Sequence, residues 1–208
     1  MNRRHFILTA LALGAAPPAR AAEPPTILVL GDSLSAEYGI ARGSGWVALL
    51  EEKLAAEKIT AQVVNASVSG DTTAGGRARL PALLKKHAPA VLIIELGGND
   101  ALRGLPLATT EANLSAMAQA AQQAGAKVLL AGMEVPPNYG ADYSRRFQAM
   151  FAQVAKARQT ALVPFLLKGV ADAPNATALF QPDRIHPTAA AHPTILGNVW
   201  PELRKLLK

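Results

Sequence analysis

Four short blocks of this 208-residue chain hold residue types that can do chemistry together. Gly31-Asp32-Ser33-Leu34-Ser35 follows the apolar run Thr26 to Leu30, and Asn65-Ala66-Ser67-Val68-Ser69-Gly70-Asp71-Thr72 follows a second apolar run. Gly97-Gly98-Asn99-Asp100 follows a third, and Asp183-Arg184-Ile185-His186-Pro187 stands near the C-terminus. A serine hydroxyl is a weak nucleophile until a neighbouring base takes its proton. Histidine is the usual base, because its unperturbed pKa of about 6.5 lies close to working pH. His5 falls in an N-terminal leader pattern, and His87 follows Lys85-Lys86 at an expected helix end, which suits a solvated or capping role. His192 has no acid near it in sequence, whereas His186 has Asp183 three residues before it. That spacing is close enough for a carboxylate to orient the ring. Taken alone, Ser33 reads as a helix cap and Gly70, Asn99 and Asp100 as turn formers. Asp32 reads as a structural residue that bonds nearby backbone. With no cysteine in the chain, thiol chemistry, disulfides and cysteine-held metals are excluded. His186 and His192 lack a third nitrogen or sulfur ligand, so no metal and no cofactor are expected.

Alternating strand and helix patterns must position these blocks. Thr26–Leu30 reads as a strand buried on both faces, and Trp46, Leu49, Leu50 and Leu54 then recur at helical spacing. Ala61–Val64 reads as a second strand, about Arg77 to Lys86 as a helix, and Ala90–Leu96 as the clearest strand. Thr110 is expected to cap a helix with Leu114, Met117, Ala118 and Ala121 on one face and Gly125 at its end. A fourth strand is expected over Lys127–Met133, a helix over about Tyr143–Arg158 and a short strand over Ala161–Val163. Ile195, Val199, Leu203 and Leu207 space a last helix, with Pro193 and Pro201 as its start or bend. The pattern predicts an α/β fold: one three-layer, doubly wound parallel sheet. In such sheets ligands bind outside the carboxyl ends of the strands, where all three strand-following blocks fall.

Half of the chain is hydrophobic, which suffices for a core, and the formal charge of +6 raises the question of a polyanionic partner. The N-terminal segment answers part of it. Arg3-Arg4, the apolar stretch Phe6 to Ala16 and Ala19-Arg20-Ala21 have the order of a secretory leader, too short to span a bilayer. Loss of residues 1–21 removes three arginines and no acid, lowering the charge from +6 to +3 and leaving a single domain over residues 22–208. No basic run with interleaved aromatics follows, so neither nucleic acid nor stable membrane insertion is expected.

The four blocks, in order and at compatible spacing, resemble those of the SGNH (GDSL) hydrolase superfamily. The longer stretches NASVSGDTTAGG, ARLPALLKKH, ELGGNDALRG and PPNYG are similar to the bacterial periplasmic thioesterase I, lysophospholipase and arylesterase subgroup. That resemblance implies the flavodoxin-like SGNH fold, with Ser33 as nucleophile, His186 as general base and then acid, and Asp183 holding the ring. It implies an oxyanion hole from the backbone N–H of Ser33 and Gly70 and the side-chain amide of Asn99, with Asp100 outside the catalytic set. It further implies apolar contact to an acyl chain from Leu102, Leu105, Val135, Pro136 and Tyr139, and a small-molecule or lipid ester as substrate. The first block, G-x-S-x-S, lacks the G-x-S-x-G elbow of α/β-hydrolases. Glu37 and Arg184 stand where the subgroup has a small residue and a glycine, and are expected to bear on specificity and pH optimum. The expected protein is an exported, periplasmic or secreted monomer that hydrolyses carboxylic esters and thioesters. A carbohydrate acetyl esterase and a non-catalytic anion-binding module are the alternatives.

Overall fold

The computed structural model describes residues 24–208; the expected leader lies outside them. Five parallel strands form one sheet in the order β2-β1-β3-β4-β5: β1 (Thr26–Gly31), β2 (Gln62–Asn65), β3 (Val91–Glu95), β4 (Lys127–Ala131) and β5 (Ala161–Val163). The neighbouring central strands β1 and β3 are apolar almost throughout and buried, as a strand covered on both faces must be. Their register sets Gly31 beside Glu95, so the residues that follow, Asp32-Ser33 and Gly97-Gly98-Asn99, leave the sheet side by side.

Among the described residues, α1 (Trp46–Ala56), α2 (Thr73–His87), α3 (Gly98–Leu102), α4 (Leu107–Gln123) and α5 (Ala141–Arg158) connect the strands, and α6 (Ala176–Leu179) and α7 (His192–Leu206) follow the last one. α1 packs with α7, and α2, α4 and α5 pack in a row, clothing the sheet as two groups. The expected three-layer α/β sandwich is the fold observed. Trp46, Phe147 and Phe151 are the largest side chains fully enclosed in its core.

Several element ends differ from expectation. α2 begins at Thr73 rather than near Arg77, because the Thr72 hydroxyl accepts the Gly75 N–H and starts the helix a turn sooner. α4 begins at Leu107, and Thr110 lies inside its first turn, with its hydroxyl on Asp100 instead of capping. β3 and β4 are shorter than their apolar runs, since Leu96 and Met133 already belong to the loops beyond the sheet edge. His87 does end α2, beside Lys85 and Lys86, where cationic side chains favour the helix dipole. Pro193 sits in the first turn of α7 and Pro201 inside it.

Candidate active site

The turn after β1 places Ser33 at the carboxyl edge of the sheet. The N–H groups of Ser35 and Ala36 fold back on the Asp32 carbonyl, and the Tyr38 N–H on that of Ser33. His186 arrives from the loop before α7, and its Nε2 lies 2.9 Å from Ser33 Oγ. Its Nδ1 lies 2.6 Å from Asp183 Oδ2, while Asp183 Oδ1 accepts the backbone N–H groups of Ile185 and His186 at 2.9 and 3.0 Å. The three-residue spacing read in the sequence is thus a tight turn that wraps the backbone around its own carboxylate. Those backbone N–H groups and the ring hold the Asp183 carboxyl down to about 2. An ionised Asp183 accepts the Nδ1 proton, which leaves the Nε2 lone pair facing the serine hydroxyl.

The loop after β2 carries Gly70 at φ +79°, a backbone conformation that glycine adopts without strain. It is braced from two sides. Arg103 donates to the Gly70 carbonyl at 2.8 Å, and Arg79 pairs with Asp71 at 2.8 Å while also bonding the Ala66 carbonyl. Neither Ser33 N–H nor Gly70 N–H meets an acceptor among the described residues. Asn99, in the first turn of α3, sends its Nδ2 to Asp32 Oδ2 at 3.0 Å, and its amide retains a second N–H.

Asp100, next to Asn99, has a different task. It is buried, and its oxygens accept the Thr73 N–H at 2.9 Å and the Thr110 hydroxyl at 3.2 Å, which knots α3 to α2 and α4. Asn113 extends the knot by donating to the Thr73 hydroxyl at 3.1 Å.

A cleft of about 440 Å³ opens beside these groups, with Asp32 and Asn99 on its wall. Leu102, Val135 and Pro136 line it as expected, whereas Leu105 and Tyr139 are not among its lining residues. The Leu105 N–H is drawn onto the Asp100 carbonyl, and Tyr139 stacks on Tyr143 with ring centroids 5.9 Å apart. Leu34, Met133, Phe165, Leu167, Phe180 and Ile185 complete the apolar lining, and sequence reasoning did not place Leu34, Phe165, Leu167, Phe180 or Ile185 there. A separate concavity of about 500 Å³ between α1 and β2 lies away from the serine and its partners.

Tyr38 and Gln181 were also missed. The Tyr38 ring packs on the His186 ring with centroids 4.3 Å apart. Gln181 Nε2 bridges the carbonyls of Tyr38 and Pro187, at 2.8 and 3.0 Å, and so ties the serine loop to the histidine loop. Of the two departures from the subgroup pattern, Glu37 turns away from the cleft. At φ +60° it accepts the N–H groups of Gly43 and Gly45 at 2.9 and 2.8 Å, a loop brace. Arg184 sits at φ +58°, which explains why a glycine suits that position. Its side chain lines the cleft and forms no ion pair with Asp183 among the described residues.

The sequence profile of the GDSL-like Lipase/Acylhydrolase family matches residues 29–193. The Esterase TesA of Pseudomonas aeruginosa is 53% identical over 88% of this chain and 89% of that protein. The Thioesterase 1/protease 1/lysophospholipase L1 of Escherichia coli K12 is 42% identical over 90% of this chain and 88% of that protein. Among solved structures, the psychrotrophic esterase EstA from Pseudoalteromonas sp., inhibited by monoethylphosphonate, is 40% identical with a TM-score of 0.81, over 88% of this chain and 98% of that one. The chain belongs to the GDSL-like lipase/acylhydrolase family and is a hydrolase of the SGNH type.

Proposed function

We propose that this enzyme hydrolyses carboxylic esters and thioesters of a single apolar acyl chain through an acyl-enzyme on Ser33. The unbroken series Asp183 Oδ2, His186 Nδ1, His186 Nε2, Ser33 Oγ, with steps of 2.6 and 2.9 Å, carries the reading. As Ser33 Oγ bonds to the substrate carbonyl carbon, its proton passes to His186 Nε2. Asp183 remains ionised and stabilises the imidazolium. The carbonyl oxygen becomes an oxyanion, met by the N–H groups of Ser33 and Gly70 and the free N–H of Asn99. Collapse breaks the bond to the leaving alkoxide or thiolate, which takes the proton from His186. Water, deprotonated by the same nitrogen, then releases the acid and restores Ser33.

The continuous apolar side of the cleft, with Leu34, Met133, Phe165 and Phe180, supports an acyl chain over an acetylated sugar, while Glu134, Asp172 and Arg184 supply its charged side. The named relatives, an esterase and a thioesterase/lysophospholipase, support the same class. The leader pattern supports work outside the cytoplasm, where lysophospholipids and other esters are more available than acyl-CoA. A fluorophosphonate probe should label Ser33 in the protein beginning at residue 22 and leave Ser33→Ala unlabelled. A p-nitrophenyl series from acetyl to dodecanoyl, run beside a lysophospholipid, should show turnover rising beyond acetyl. A folded protein that neither labels nor turns over any of these esters would sink the proposal.

A further inference from the structure

We propose that Asp32 is the positioning residue of the oxyanion hole: it fixes the direction of the Asn99 amide so that an N–H, and not the carbonyl oxygen, faces the developing oxyanion. This inference rests on the reading of Asn99 as an oxyanion donor. A carboxamide has two ends of nearly equal shape and opposite hydrogen-bonding character, and only its partners decide which end points where. The partner of the Asn99 amide is Asp32 Oδ2, 3.0 Å from Nδ2. An ionised carboxylate accepts and cannot donate. It therefore takes one N–H of the amide and excludes the reversed amide, which would set two oxygens against each other.

Asp32 is itself held at its carboxylate and at its backbone, and the acceptor of its backbone N–H is braced in turn. Its Oδ1 accepts the Leu34 N–H at 3.0 Å, its own N–H donates to Glu95 Oε2 at 3.2 Å, and Glu95 Oε2 also accepts the Ser35 hydroxyl at 2.7 Å. Gly31 leaves room for this packing: a Cβ there would lie 2.7 Å from Glu95 Oε2 and 2.8 Å from Ser35 Oγ. The nucleophile and the orienting carboxylate are consecutive residues of one turn, while Asn99 comes from the end of the neighbouring strand. Their hydrogen bond locks the two edges of the hole in register across 67 residues of chain.

The arrangement is expensive for a purely structural role. Asp32 is 2% exposed, and no cation pairs with it among the described residues. Burial pushes its carboxyl up to about 6, against the opposing pull of the Leu34 and Asn99 N–H groups. A buried acid held by N–H donors without an ion-pair partner marks a functional position more often than a packing one.

Asp32→Asn keeps the shape and tests the direction. Its amide oxygen can serve the Leu34 N–H, which turns its NH2 toward Asn99 and favours the reversed Asn99 amide. The expected result is a loss of about 10–10³-fold in kcat with KM within about twofold, as for loss of one oxyanion donor. Asn99→Ala should lose a similar factor, and Asp32→Asn combined with Asn99→Ala should be no worse than Asn99→Ala alone, within about threefold. If the two losses multiply in full, Asp32 acts through something other than Asn99 and the proposal is overturned; the same holds if Asp32→Asn leaves kcat within about threefold of the parent. Parent activity in Asn99→Ala would overturn this inference by removing the oxyanion reading beneath it, an outcome distinct from the first two. Should Asp32→Asn fail to accumulate as folded protein, Asp32→Ser takes its place in the same cycle, with circular dichroism confirming the fold.

Discussion

Two histidines near the C-terminus, His186 and His192, do opposite things. His186 rides a loop at the edge of the sheet, with a carboxylate on Nδ1 and a hydroxyl on Nε2. His192, the first residue of α7, is 3% exposed, and its Nδ1 accepts the backbone N–H of Trp46 at 3.0 Å. That bond completes the start of α1, whose own N-terminal flank offers no side-chain cap. The partner decides the chemistry. A carboxylate on one nitrogen lets the ring take a proton on the other and remain bonded. An N–H donor on one nitrogen requires that nitrogen to stay bare, so protonation there destroys the contact. Burial acts in the same direction on His192, lowering its pKa below 6.5, with Glu37 opposing.

The largest effect should separate them on activity. His186→Ala is expected to lower kcat/KM by about 10⁴–10⁶-fold with little change in Tm, because the ring's bonds are to the reacting serine and to a loop acid. Asp183→Asn should cost about 10³–10⁴-fold, since an amide at that position permits the wrong ring tautomer. Ester hydrolysis by the purified variants measures both. A His186→Ala protein within about tenfold of the parent would break the distinction between the two rings.

His192→Ala should invert the pattern. Losing a buried helix cap costs about 1–2 kcal/mol, which lowers Tm by about 3–6 °C in a domain of this size, while kcat of the folded protein stays within about threefold. The pH dependence sharpens the test. Because the folded state depresses the pKa of this base, the unfolded chain binds the proton more readily just below 6.5. The His192 contribution to stability is therefore complete above 6.5 and is lost as pH falls from there toward the lowered folded value. His192→Asn, which places an amide oxygen where Nδ1 stood, should flatten that slope in thermal melts between about pH 7 and pH 5. An unchanged slope would assign it to another group.

How far this was legible beforehand follows from the reach of each interaction. β1, β3 and α5 announce themselves in local patterns of apolar residues, and Asp183 and His186 in a three-residue spacing. Ser33, Gly70 and Asn99 are recognisable because their blocks resemble a known family. His192 gives no such signal: its partner is a backbone N–H 146 residues away, which any residue type but proline would supply. Asp32 reads as bonding nearby backbone, which it does at Leu34, but its bond to Asn99 depends on the β1–β3 register. α3 reads as a turn in the sequence, as five residues opening on glycine carry no helical period. Phe165, Leu167 and Phe180 belong to the stretch after β5. Apolar residues outside regular elements have no periodicity to say which way they face.

Arg184 gives the smallest effect and tests whether the His186 side of the comparison depends on anything beyond its acid. Its positive φ of 58° is a conformation that a side chain tolerates at a cost and glycine tolerates freely. Arg184→Gly relieves that cost but adds freedom to the unfolded chain, so Tm should move by no more than about 2 °C. If the guanidinium held Asp183 ionised, its removal would raise the Asp183 carboxyl from about 2. The groups that depress Asp183 are instead the N–H of His186, the His186 ring and the N–H of Ile185, all of which glycine at 184 leaves in place. NMR titration of the Asp183 carboxyl should therefore coincide in Arg184→Gly and the parent. A rise of about half a pH unit or more in that carboxyl's midpoint would show that Arg184, and not the turn alone, keeps the carboxylate charged.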